Sequence, residues 1–430
     1  CTGLDKQKGG VARRMTLLKQ MRAKGWEVMP MDVGEQVRRF GQQAVYKFQW
    51  TATAMRQMGY RAVGFGPSDL RLDSVELLVP ITEDLDDLLF TSANVTLYSE
   101  EYVPRVKFIR GKKTIGVTTI TDPDDVEVPP GGDLTISPIK PALVAAMKQL
   151  QSENCDFRVL MFFGDEAKAQ KIVQEVPGFD LVVAGAAIGE PTYRPIEIPG
   201  SKTKMILTGN KGMYVGLVGL VDGPEKFQYQ RIALTHAFED APEMRLVMAQ
   251  YQSQLQQVGM SGLGVKPIAH QSGHQFVGSE SCQECHKDAF DVWQNSEHFL
   301  ATSHIVQPPE ERGDIPRHFD PECISCHVTG WHAQDYYPYK SGYESLAKSR
   351  HLTGNGCENC HGPGSGHVAA ERSANADMAT KKAMRLSVRL EFEKAREKCM
   401  TCHDLDNSPA FHEEGAFEDV YWPEVEHGLD

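Results

Sequence analysis

No histidine occurs before His236 in this 430-residue chain, and only Cys1 and Cys155 of its ten cysteines fall before position 280. The longer part of the protein therefore cannot build a site on imidazole and thiolate, the usual donors for zinc, copper and haem iron. Also missing is any apolar run near the roughly 18 residues that a membrane span needs. The longest such stretches, LVVAGAAIG among them, have the length of buried strands. Cationic excess is missing too: the formal charge is -13, and Lys and Arg are scattered. Without a basic stripe to meet phosphates, nucleic acid is excluded as a partner. The sequence opens on Cys1-Thr2-Gly3, which fits two expectations. One is the lipid-bearing cysteine of a mature lipoprotein. The other, favoured for a reason given below, is a fragment or processed start.

The length predicts two or three domains. The first part alternates helix and strand signals. GGVARRMTLLKQMRAKG and QQAVYKFQWTATAMRQMGY carry apolar residues at helical spacing, with Val45, Phe48, Ala52 and Met55 on one face. DFRVLMFFG and FDLVVAGAA read as strands, and PRVKFIRGKKTIGVTTIT as a hairpin turning at Gly111. TKMILTG, MYVGLVGLV and FQYQRIALTHAF continue as strands before a closing helix, APEMRLVMAQYQSQLQQV. This order predicts a layered α/β sheet domain over residues 1–258. A Gly-, Ser- and Pro-rich stretch at 259–275 reads as a linker. Residues 276–430 lose regular periodicity, with short helical pieces among Gly- and Pro-rich loops, and predict a mostly α, otherwise irregular domain.

Histidine and cysteine crowd into that last domain. C-x-x-C-H occurs four times: Cys282, Cys285 and His286; Cys323, Cys326 and His327; Cys357, Cys360 and His361; Cys399, Cys402 and His403. Two thiols at this spacing can add to the two vinyl groups of one porphyrin, and the histidine that follows lies beneath the ring to ligate iron. CxxC pairs also hold zinc or form disulfides, but neither alternative requires a histidine after every second cysteine. Four covalent haems are expected, each with a second axial position that is closed by another ligand or open to a small molecule. His367 stands on the loop GPGSGH, where glycines let backbone pass close to a flat macrocycle.

The stretches VGSESCQECHKDAFDVWQNSEHFLA, DPECISCHVTGW, GCENCHGPGSGH and CMTCHDLDNSPAF…YWPEVEHG resemble the tetrahaem cytochromes c of the type that accepts electrons from hydroxylamine oxidoreductase. The resemblance implies distal iron ligands at His298, His367 and His427. A fourth is open among His304, His332, His351 and His412, because relatives with one open haem exist.

The first part resembles the 5′-nucleotidase-like metallophosphoesterases along GGVARRMTLLKQMRAKG, EVMPMDVGE, MGYRAVGFGPSDL, TSANV, KTIGVTTITDP, FDLVVAGAA and TKMILTGNKGMYVGLVGLV. That family holds two metals on Asp, Asn and His. Here the pattern fails at nearly every ligand. Its Gly-Asp pair meets DVGE, where Asp32 and Glu35 remain, and its GNHE meets GPSD at Gly66 to Asp69. A histidine is expected near Phe162 and Phe163, and GHTH where GAAI stands at Gly185 to Ile188. The strand that opens the family's domain is missing, which favours the fragment or processed start. An inactive platform for docking or assembly is the implied role.

The combined expectation is an exported electron carrier, periplasmic or at the cell surface of a prokaryote, because haem is attached covalently outside the cytoplasm. Its partners would be other redox proteins or multihaem cytochromes. Two alternatives stand: an enzyme acting on a small nitrogen or sulfur compound at an open haem, and a subunit of a homo-oligomer or filament that conducts electrons outside the cell.

Overall fold

A computed structural model describes residues 7–38, 41–99, 101–127, 133–185, 190–209, 211–309, 313–405 and 407–427. The chain forms two compact units, Lys8–Val247 and one that begins at Met248.

In the first unit the order is α1 (Val11–Ala23), β1 (Met31–Asp32), α2 (Gln42–Met58), β2 (Ala62–Val63), α3 (Ser74–Ile81), β3 (Val95–Leu97), β4 (Lys107–Ile109), β5 (Ile115–Thr121), β6 (Leu134–Ile136), α4 (Ile139–Ser152), β7 (Phe157–Phe163), α5 (Glu166–Glu175), β8 (Leu181–Ala184), β9 (Ile196–Glu197), β10 (Lys204–Leu207), β11 (Tyr214–Leu220), β12 (Phe227–Ala233) and the start of α6 (Pro242–Gly262). A six-stranded sheet runs β4-β5-β7-β8-β10-β9. Its four inner strands are parallel, and β4 and β9 close the edges antiparallel.

Parallel strands covered on both faces need apolar residues in both phases of the pleat, and β7 has them. Leu160 and Phe162 pack with Leu143, Ala146 and Leu150 of α4 and Ala169 and Val173 of α5. Val159 and Met161 point the other way, into a cluster with Leu181, Ile206, Phe227 and Tyr229 beside the β11–β12 hairpin. A third cluster joins Met15 and Leu18 of α1 to Val45, Phe48, Ala52 and Met55 of α2. That α2 set is the face predicted by its spacing.

The units divide within α6, whose Met244 and Val247 lie in the first unit's core. The helical geometry of α6 breaks at Gly259, where φ is 66°.

The second unit contains α7 (Lys287–Gln294), α8 (Glu297–Val306), α9 (Pro321–His327), β13 (Trp331–His332), β14 (Tyr337–Pro338), α10 (Cys357–His361), α11 (Ser365–Arg372), α12 (Met378–Ser387) and α13 (Phe392–Met400). Side-chain cores here are small. Phe276, Ile305, Ile324, Val328, Trp331, Tyr343 and Leu352 make one; Ala395, Phe411 and Phe417 make another. Helix α12 buries no residue. The architecture is thus a layered α/β sheet unit followed by a mostly helical, irregular one.

Candidate haem-binding sites

Each C-x-x-C-H motif closes on a short helical turn. His286 and His403 donate their backbone N–H to the carbonyls of Cys282 and Cys399, four residues earlier. The second and third motifs form α9 and α10 outright, so His327 and His361 end those helices. Asp320 caps α9 by accepting from Glu322 N, 3.0 Å away, with Pro321 in the first turn. In each motif the spacing of both thiols and the histidine puts them on one face of the turn.

Three motif histidines are held from behind. Nδ1 of His327 donates to the carbonyl of Ala301 at 2.6 Å, and Nδ1 of His361 to that of Val388 at 2.9 Å. Nδ1 of His403 bonds Ser408 Oγ at 2.9 Å. Such outer partners fix ring orientation and leave Nε2 free for a metal. Burial pushes His327 and His403 each down to about 4. It also lowers His298, His361 and His367. Burial thus favours neutral imidazole, the form that ligates.

Three motif histidines also face a second imidazole. Ring centres are 6.1 Å apart for His286 and His367, 6.0 Å for His403 and His298, and 5.8 Å for His361 and His427. A metal–imidazole bond of about 2 Å, with the ring centre about 1 Å beyond the nitrogen, puts two rings on one metal about 6 Å apart. His367 Nδ1 is buried without a hydrogen-bond partner, as a nitrogen reserved for a metal would be. These donors fit iron held between two imidazoles.

The remaining candidates are placed otherwise. Among the described residues no second imidazole faces His327. His304 lies 3.8 Å from Glu297, on the helix that holds the back of His327. His332 accepts from Asp335 N and stacks on Tyr337. His412 Nε2 donates to the carbonyl of His403 at 2.7 Å. His351 lies beside Gly278.

None of the eight motif cysteines is in a disulfide. They meet across motifs: Cys282 hydrogen-bonds Cys357, and Cys326 hydrogen-bonds Cys402. That bond pushes Cys282 up and pulls Cys357 down to about 7. Burial pushes Cys360 up to about 12. The first and third attachment points are therefore adjacent, as are the second and fourth. Among the described residues, no three His, Cys, Asp or Glu side chains converge as a metal cluster. The sequence reading overlooked Glu358, inside CENCH, which is buried and binds the loops around two motifs. Its position between two cysteines was the one available signal.

In the first unit, the three carboxylates singled out in the sequence accept hydrogen bonds from protein partners. Asp69 is fully buried and accepts from the backbone N–H of Glu35, Gln36, Val37 and Gly66 at 2.8–3.1 Å. Burial pushes its pKa up to about 7 against those bonds. Glu35 accepts from Ser68 N and Ser68 Oγ. Asp32 accepts from Gly34 N and Gln36 Nε2 and pairs with Arg14 at 3.5 Å. Gly34, at φ 113°, packs so close to Phe65 and Gly66 that a Cβ would sit 2.5 Å from their backbone. A Cβ on Gly185 would meet Val33 at 2.4 Å and Phe163 at 3.1 Å, so apolar side chains stand beside it. Ala186 to Ile188, and Cys1, lie outside the described residues.

Both halves have known relatives. The family described as "Cytochrome c554 and c-prime" matches residues 281–362. Cytochrome c-554 of Nitrosomonas europaea is 28% identical over 149 residues, 31% of this chain and 60% of that protein. Bovine 5′-nucleotidase (Bos taurus) is 25% identical over 231 residues, 51% of this chain and 40% of that protein. Among solved structures, a 5′-nucleotidase precursor from Thermus thermophilus aligns with a TM-score of 0.49 and 16% identity, over 71% of this chain and 62% of that one. The chain spans less than two thirds of the curated relatives it matches. Its C-terminal part thus resembles a cytochrome c, which implies covalently bound haem, and its N-terminal part resembles 5′-nucleotidases. No helix among the described residues is long and apolar enough to cross a membrane.

Proposed function

We propose that this chain is an exported electron carrier with four covalent haems, joined to a phosphoesterase-like unit that has lost its chemistry and serves docking or assembly. The supporting observation is the set of three facing imidazole pairs, each across a different motif histidine. Cys282 and Cys285 would anchor one haem between His286 and His367. Cys357 and Cys360 would anchor another between His361 and His427, and Cys399 and Cys402 a third between His403 and His298. Cys323, Cys326 and His327 would hold the fourth. Haem supplies a one-electron iron couple. The protein's part is to fix both imidazoles, shield them from water and hold neighbouring sites close. The Cys282–Cys357 and Cys326–Cys402 contacts support two close pairs of sites. Export follows from where haem is attached, and the partners would be other redox proteins.

Intact mass should exceed that of the polypeptide by four haems, which acid-acetone should fail to extract. Three haems would leave one motif unused, and none would end the reading.

A second reading rests on His327, which faces no imidazole among the described residues. An iron held there alone would bind a small ligand, as a haem enzyme requires. The expected signature is one high-spin haem in four that takes up carbon monoxide on reduction. Four low-spin haems would remove this reading.

A further inference from the structure

Glu358 is the second residue of the third motif and is 3% exposed. It has no cationic partner within ion-pair distance among the described residues, and its contacts are all received. Oε1 accepts from Val277 N at 3.0 Å and Gly364 N at 2.7 Å; Oε2 accepts from Val277 N at 3.0 Å and Gly278 N at 2.7 Å. Burial pushes its pKa up, while the three amide N–H groups around both oxygens pull it back and favour the carboxylate.

The three segments it joins are the ones that matter for two sites. Val277 and Gly278 lead into the first motif at Cys282. Gly364 precedes α11, which carries His367, the ring facing His286. Glu358 itself sits between Cys357 and Cys360. Ser279 Oγ reinforces the junction by accepting from Cys357 N at 3.1 Å. A single buried anion therefore lies where the first and third attachment sites meet.

We propose that Glu358 is a positioning residue that locks the first site's two histidines to the third motif, and that its charge lowers the potentials of the haems at those two sites. This rests on the haem reading above. A fixed negative charge in a medium of low dielectric favours the more positive, ferric state of a nearby iron. It also makes adding an electron harder at the sites it touches than at those it does not. The second motif has a buried acid of its own, Asp320, which caps α9 by accepting from Glu322 N, so the effect of Glu358 is read as a shift at the two sites it touches.

The test is redox titration of the whole purified protein, followed by absorbance, for the parent, Glu358→Gln and Glu358→Asp. Glu358→Gln should retain four covalent haems by mass and shift two of the four midpoint potentials upward, leaving two unmoved. Glu358→Asp, which keeps the charge, should return those two towards the parent values. That rescue is something a merely structural role would not produce. If Glu358→Gln fails to load haem, Glu358→Asp carries the test alone: four haems with parent-like potentials are expected. Unmoved potentials in a fully loaded Glu358→Gln protein would overturn the proposal, as would equal rises in the Asp and Gln variants, or a loaded Asp variant with shifted potentials. A parent without covalent haem would instead overturn the reading on which it rests.

Discussion

The imidazoles of His286 and His367 face each other with ring centres 6.1 Å apart and planes inclined by 36°. They come from segments about eighty residues apart in sequence, brought together by the Glu358 junction and by Ser365, which bonds Gln275 through both backbone and side chain. If iron lies between them, His367→Ala should leave haem content intact, because every thioether and every motif histidine remains. One low-spin haem should become high-spin and bind carbon monoxide when reduced. Its potential should rise, since a nitrogen donor that favours ferric iron is gone. A spin-state spectrum identical to the parent's would mean that His367 only lines the loop.

His412 provides the matching contrast. Its Nε2, the nitrogen that the motif histidines leave free, is bound to the carbonyl of His403. His412→Ala should therefore leave the spin-state spectrum of all haems unchanged. It should lose about 1 kcal/mol of stability for one hydrogen bond. A new high-spin signal would make His412 an iron ligand.

Much of the first unit was legible because its signals are local. The continuous apolar run of β7 and the helical spacing of Val45, Phe48, Ala52 and Met55 each declare one element. What escaped was short or set by tertiary pairing: α3, with Pro80 inside it, and β6, whose partner β3 lies about forty residues back. In the second unit the motifs declared themselves, since thiol spacing is chemical rather than conformational. The pairing of His298 with His403, or His427 with His361, is not written in any spacing, because it depends on how loops close over one another. Glu358 was illegible for a related reason. Its partners are backbone N–H groups, which every residue except proline carries, so nothing in the sequence marks them.

Metal analysis should separate the two units. The first has no histidine before His236, and Asp32, Glu35 and Asp69 are all bonded to protein groups. Iron should appear at about four per chain by the motif count, with no stoichiometric manganese or zinc. Nucleotide hydrolysis should stay at background when either metal is added. Hydrolysis abolished by Asp32→Ala or Asp69→Ala would overturn the inert reading of this unit.

Asp69 also gives the first unit a pH dependence. Burial raises its pKa from 3.8 to about 7 in the folded protein, while its four backbone donors pull the other way. Because the folded value lies above the unfolded one, the folded unit binds the extra proton across that interval. The associated stability is complete below about pH 4 and is lost as pH rises through about 7. At about 1.4 kcal/mol per pKa unit the whole interval is worth about 4 kcal/mol. Hydrogen exchange of the β5 and β7 amides reads this unit without interference from haem absorbance. Protection should fall between about pH 4.5 and about pH 7.5, after correction for the intrinsic exchange rate. Asp69→Asn should be less stable at low pH, since its amide nitrogen meets backbone donors, and its protection should vary little across the same range. A variant that kept the parent's slope would place the titrating group elsewhere in the unit.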